Sequence, residues 1–382
     1  MKKLAVIFAT ILVLTSFAGC IAAPTPVTQP ATQPPTEPPK LFITSDEVDL
    51  RQMVVDYMLQ MANIQWTAGV TIDYSNNSKT LVYEAGKTYL GIVYNNNRNG
   101  LEGFRAILDE NNLYTGTDTN WNTSPGNSCA TCIEHAWQLI SPSVEYEYSI
   151  DMMPVYENTG VIGLGDIDWS CYDGKNTNSI IRGNERKVVL EAYALAKPGD
   201  ALVRYQNTGG HALMVTKEST IVRNPDGSIN MAQSFMYLTD QNNRLNNSRE
   251  YPSSWAVDKK TSFANILQDG FLPVSVAELL NGAAPITTIT VTPPPTAEAL
   301  AYGNVTGPVD SKYCLNTVRV EIRSGDQVVA STQKHPYKRS FDLATLSKAL
   351  NISQLPAGQY TLVLVAEVGL VTETLLSTSF SK

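Results

Sequence analysis

Histidine is scarce in this chain. Of 382 residues only three are histidine, His135, His211 and His335, so imidazole chemistry has few places to reside. Cysteine is nearly as rare, at Cys20, Cys129, Cys132, Cys171 and Cys314. Only Cys129 and Cys132 form a close pair, whereas structural zinc sites ordinarily draw on two such knuckles. A metal site from Cys129, Cys132, His135 and Cys171 is therefore not expected, and no cofactor is implied. Positive charge is also short: 28 Lys and Arg stand against 36 Asp and Glu, a formal net charge of −8, which argues against a nucleic-acid partner. The apolar run from Leu4 to Gly19 is shorter than the ~20 residues that span a bilayer.

That run follows Met1-Lys2-Lys3 and ends at Ser16-Phe17-Ala18-Gly19-Cys20, the layout of an export signal. Small residues just before a cysteine resemble the bacterial lipobox. The resemblance implies cleavage before Cys20, a diacylglyceryl thioether on its sulfur, and anchoring to the outer face of the membrane. An ordinary signal peptide with Cys20 incidental is the alternative. Residues 1–20 are thus expected to be a lipoprotein signal peptide. Residues 21–44 are expected to be a tether, because seven prolines among Thr, Gln and Ala in 21–40 cannot bury a core and stay extended.

The remaining residues, 45–382, are enough for two domains. Ala283-Ala284-Pro285 and Thr292-Pro293-Pro294-Pro295-Thr296 mark a linker over 283–299, just after an expected helix from Val274 to Asn281. Beyond it, Thr317 to Arg323, Gln327 to Thr332 and Tyr360 to Glu367 alternate or run β-branched between turns, predicting a small all-β sandwich over 300–382. No catalytic cluster shows there. A spacer or packing module is expected, with carbohydrate or wall-polymer binding as the alternative.

Residues 45–282 carry the chemistry. Val48, Met53, Val54, Tyr57, Met58, Met61 and Ile64 have helical spacing, with Ser45 or Asp46 as cap. Short strands are expected at Val70 to Tyr74 and Leu81 to Tyr83, then a loop over Gly86 to Tyr94. Pro125 and Gly126 break the chain, Asn127 or Ser128 can cap, and Cys129, Cys132, Ile133, Ala136, Trp137 and Ile140 share a helical face. Cys129 then sits in the first turn, where free amides and the helix dipole stabilise a thiolate. In an exported protein these cysteines can instead be disulfide-bonded, and Cys129, Cys132, Cys171 and Cys314 allow three pairings. The base follows by elimination and context. His135 lies in the helix itself, His335 lies in the β region, and His211 opens a strand after Gly209-Gly210, preceded by Lys197-Pro198-Gly199-Asp200 and a strand from Ala201 to Tyr205.

A cysteine at a helix start, a Pro-Gly-Asp strand and then Gly-His-hydrophobic resemble the NlpC/P60 and CHAP branch of the papain-like cysteine peptidases and amidases, over about residues 85–245. Ser128-Cys129-Ala130-Thr131 stands where that branch commonly has Asp-Cys-Ser-Gly. The resemblance implies an α+β fold, with a papain-like core of a nucleophile helix packed on an antiparallel sheet. It implies Cys129 as nucleophile and His211 as base. It further implies a third polar group on the next strand, Ser234 to Gln241, given by Gln241 or its neighbour Asp240, and Tyr94 in the substrate pocket. The papain pattern offers another register, with Cys132 as nucleophile and Cys129 disulfide-bonded, with Cys171 as one candidate partner.

The expected function is hydrolysis of amide or peptide bonds in cell-wall peptidoglycan by a surface-anchored cysteine hydrolase. His211 would deprotonate the thiol and helix-end amides would hold the oxyanion. The alternative is an inactive wall-binding or adhesin-like lipoprotein.

Overall fold

The computed structural model describes residues 49–382 apart from 76–80, 142–143, 147, 158, 208, 283–288 and 370. The signal peptide, Cys20, the tether, Ser45, Asp46 and the first part of the linker lie outside the described residues.

The apolar period after Asp49 forms α1 (Leu50–Asn63), and the Asp49 carboxylate caps it by accepting the Gln52 amide at 3.0 Å. Such a cap contributes about 1 kcal/mol. Val54, Met58 and Met61, four and three residues apart, are fully buried. The chain then forms β1 (Gln65–Ala68), β2 (Ile72–Asp73), β3 (Val82–Tyr83), β4 (Thr88–Leu90), α2 (Gly100–Arg105) and β5 (Leu113–Tyr114). The segment 86–94 is therefore not a simple loop. Its Thr88, Tyr89 and Leu90 pair antiparallel with Thr67, Trp66 and Gln65. Burial of Tyr89 against Trp66, with ring centroids 5.4 Å apart, overrides the turn signal of Gly86-Lys87.

Next come α3 (Cys129–Gln138), β6 (Val161–Gly163), α4 (Asn178–Gly183), α5 (Arg186–Leu195), β7 (Ala201–Gln206), β8 (Gly209–Thr220), β9 (Phe235–Asn246), β10 (Ser253–Ser262), α6 (Phe263–Gln268), β11 (Leu272–Val276) and α7 (Ala277–Asn281). The helix expected from Val274 begins only at Ala277. Val274 is drawn into β11, where it pairs with both Ala201 and Gly163. Among the described residues one large sheet runs β5-β1-β4-β10-β9-β8-β7-β11-β6, mostly antiparallel. Strand alternation splits its faces. Ala212 and Met214 of β8 join the core of α1 and α3, with Met58 and Trp137, while Leu213 and Val215 join Val189 and Tyr193 of α5 on the other side. The class is α+β.

The C-terminal region comprises β12 (Thr290–Val291), α8 (Ala297–Ala301), β13 (Pro308–Leu315), β14 (Thr317–Ser324), β15 (Gln327–Lys334), β16 (Lys338–Asp342), α9 (Ala344–Leu350), β17 (Gln359–Val368) and β18 (Val371–Ser381). Two antiparallel sheets, β12-β13-β16 and β15-β14-β17-β18, enclose one core. The region is not all-β. Leu300 of α8 and Leu346 and Leu350 of α9 are buried in that core, the latter pair four apart on one helical face.

This region packs on the first rather than standing clear of it. Tyr337 donates to Glu102 Oε2 at 3.0 Å, and its ring lies 4.2 Å from that of His135 on α3. The Cys314 thiol lies 3.6 Å from the Val144 carbonyl. No helix among the described residues is long and apolar enough to cross a membrane.

Candidate active site

Helix α3 begins where the breakers Pro125 and Gly126 place it. Ser128 is the N-cap and forms a capping box: its hydroxyl accepts the Thr131 amide at 3.3 Å, and the Thr131 hydroxyl accepts the Ser128 amide at 2.8 Å. Cys129 is the first helical residue, so its amide lies at the open, positive end of α3. The segment before it is pinned from the other side. The Asn127 amide donates to the Val93 carbonyl at 3.0 Å, and the Asn95 amide to the Asn127 carbonyl at 2.9 Å, which brings Tyr94 beside the helix start.

His211 is registered to this helix through the Pro-Gly-Asp turn. The Trp137 indole donates to the Gly199 carbonyl at 2.8 Å, and the buried Asp200 carboxylate accepts the Lys197 amide, the Ser275 hydroxyl at 2.6 Å and the Arg51 guanidinium at 3.1 Å. From that anchor β7 leads to the hairpin, and Arg204 pairs with His211 on β8. Gly210 is needed there. A side chain at 210 would collide with the Ser149 hydroxyl and crowd the Arg204 carbonyl.

His211 Nε2 lies 2.9 Å from Asp240 Oδ2, and the Asn242 side-chain amide donates to the same oxygen. Nδ1 is thereby left for Cys129, with which the ring is hydrogen-bonded. The third group is therefore Asp240 and not Gln241. Gln241 is buried on the opposite face of β9, where its carbonyl accepts the Cys132 thiol at 3.0 Å and its amide donates to the Ile92 carbonyl at 2.6 Å. It braces the segment at Ile92 that leads to Tyr94.

The electrostatics separate the two thiols. Burial raises the Cys129 pKa, but the His211 charge, its hydrogen bond and the Ala212 amide outweigh burial and hold this thiol below its ordinary value. Burial likewise lowers His211, but the Cys129 thiolate and Asp240 outweigh it and push the imidazole up to about 10. Each group thus favours the charged form of the other, as a thiolate–imidazolium pair requires. Cys132, fully buried, is pushed well above the ordinary thiol range by burial and then by the Cys129 charge. Tyr94 is raised by burial and by Cys129, so its hydroxyl stays neutral and hydrogen-bonds the Cys129 sulfur.

All four described cysteines are free, so Cys129 is not joined to Cys171. Cys171 lies instead 3.6 Å from Asp168. His335 sits apart from the pair, with Nδ1 near the Thr317 hydroxyl and the Asn316 carbonyl. Of the two expected caps, Asn127 and Ser128, the helix uses Ser128; the Thr131 half of the box and the Ala212 amide were not singled out in the sequence. The Ser-x-x-Thr spacing was a usable signal for the first. No family model matches the chain, and no curated protein matches it.

Proposed function

We propose that this protein is a cysteine hydrolase that cleaves amide or peptide bonds. The observation that carries the proposal is Cys129 at the open end of α3, hydrogen-bonded to a His211 whose far nitrogen is held 2.9 Å from Asp240. His211 keeps Cys129 as a thiolate, and the sulfur attacks the carbonyl carbon. The oxyanion forms at the helix end, within reach of the Cys129 amide. Imidazolium then protonates the leaving nitrogen, which departs as the amine. Water, deprotonated by His211, cleaves the thioester and regenerates the thiol.

The arrangement of helix, hairpin and following strand supports the likeness to the NlpC/P60 and CHAP enzymes and a papain-like core. With the expected export signal, Cys20 and the Pro-rich tether, it makes cell-wall peptidoglycan peptides at the outer face of the membrane the proposed substrate. The test is digestion of purified peptidoglycan and of simple peptides by wild type, Cys129→Ala, Cys132→Ala and His211→Ala, with fragments identified by mass. Wild type and Cys132→Ala are expected to cleave and the other two to fail. Cleavage by Cys129→Ala would transfer the role elsewhere, and an inert wild type would leave a binding protein.

A further inference from the structure

His211 and Asp240 also form part of the wall of a cavity of about 190 Å³ on the α6 face of the large sheet. Its floor is apolar, from Leu213, Leu238 and Phe271. Two cations stand around it, Arg204 on β7 and Lys259 on β10. Arg204 lies with its guanidinium 4.9 Å from the Phe271 ring centroid and donates only a long 3.4 Å bond to the Asp269 carbonyl. Neither cation is in an ion pair with a described carboxylate, whereas Asp240 is already engaged by His211 and Asn242. Asp269 is the other acid of the lining, and it is exposed.

We propose that this cavity binds the leaving fragment of the substrate and selects one that carries a carboxylate beside an aliphatic side chain. The inference rests on the hydrolase reading. In that chemistry the imidazolium gives its proton to the leaving nitrogen, so the departing fragment begins at the His211 ring and continues past it, towards the wall that His211 shares with the cavity. A volume below the ~300 Å³ typical of drug-sized ligand pockets suits one amino-acid residue, not a longer chain. The apolar floor takes its side chain. Arg204, planar and with donors to spare, and Lys259 at the solvent side complement a carboxylate. That carboxylate is either the terminal group of a C-terminal residue or a side-chain acid.

Three acyl-randomised tripeptide pools separate these cases, ending in leucine, leucinamide or glutamic acid α-amide, with the released amine quantified. Release from the leucine pool is expected to exceed that from the leucinamide pool about fivefold, the scale of a partly exposed charge pair. The glutamic acid α-amide pool sides with leucine if a side-chain acid suffices, and with leucinamide if the terminal carboxylate is required. Lys259→Gln, an exposed change, and Arg204→Gln/Lys259→Gln are expected to bring the acid-to-amide ratio towards one. Equal release by wild type, or a ratio that survives the double substitution, overturns the proposal. Calorimetry of Cys129→Ala with free leucine and leucinamide separates the two ideas. No release from any pool with leucine still preferred sinks the hydrolase and keeps the cavity assignment, while no preference sinks the cavity assignment.

Discussion

His135→Phe is expected to flatten the acid side of the stability profile. His135 lies within α3, is fully buried, and packs with its ring tilted against Tyr337 of the C-terminal region, with Nδ1 3.3 Å from Gln138 Oε1 and no partner for Nε2 among the described residues. Burial, and then the charge of Arg98, push its pKa from 6.5 down to about 3. The folded state therefore refuses a proton that the unfolded state accepts. The sign follows: the stability tied to a neutral His135 is complete above pH 6.5 and is lost as pH falls from there towards 3. Each unit in that window costs about 1.4 kcal/mol, so about 2 kcal/mol disappears between pH 6.5 and 5. Phenylalanine keeps the ring against Tyr337 and removes the titration. Loss of the Gln138 contact lowers the variant by about 1 kcal/mol at pH 7, a constant offset. Urea denaturation of both proteins at several pH values from 7 to 4.5 isolates the effect in the difference between the two curves. Wild type should lead at neutral pH and fall below the variant on acidification. Curves that stay parallel would refute the reasoning.

Iodoacetamide at pH 6.5, followed by peptide mapping, should label Cys129 while leaving Cys132 and Cys314 unmodified, since burial holds Cys132 high and pushes Cys314 up to about 12. His211→Ala should abolish that labelling. The kcat/KM profile should rise through a pKa below the ordinary thiol value and fall near pH 10. Asp240→Asn should move the alkaline limb to lower pH because the carboxylate no longer favours imidazolium, and a stationary limb would remove Asp240 from this role. Asp240→Ala, which also frees the ring, should cost kcat about 10²-fold, measured on any cleaved amide. Gly210→Ala should destabilise by about 1–3 kcal/mol in urea and lower kcat, because Ser149 and the His211 backbone cannot both keep their places.

Much of the site was legible because it rests on local signals. Pro125, Gly126 and Ser128 mark a helix start, and Gly209-Gly210 marks the strand that carries the base. The choice between Asp240 and Gln241 depended on a period of two. Leu213 and Val215 on β8 and Met236 and Leu238 on β9 bury on one face, and alternation sets His211 and Asp240 on that same face, with Gln241 on the other. That parity was present in the residues. The strand at Thr88–Leu90 was not, because its partners, Gln65–Thr67 and Ser253, are distant in sequence. Nor was the seat of the C-terminal region on α3, which joins His135 to Tyr337 across two hundred residues of sequence. Short strands and docking surfaces are decided by what they meet.

Tyr337 closes against more than His135. Gly100, at φ +60°, leaves room for its hydroxyl where any side chain would collide, and Tyr57 and Tyr337 both donate to Glu102. A substitution at position 100, 102 or 135 is thus felt in a region that contains neither Cys129 nor His211. Descendants of this chain have little freedom to exchange one half for a homologous piece from elsewhere. A recombinant that inherits α3 without a matching ring at 337 would carry an uncovered aromatic face and a half-buried acid left with one of its two tyrosine donors. The two halves are bound to diverge in step, as one heritable unit.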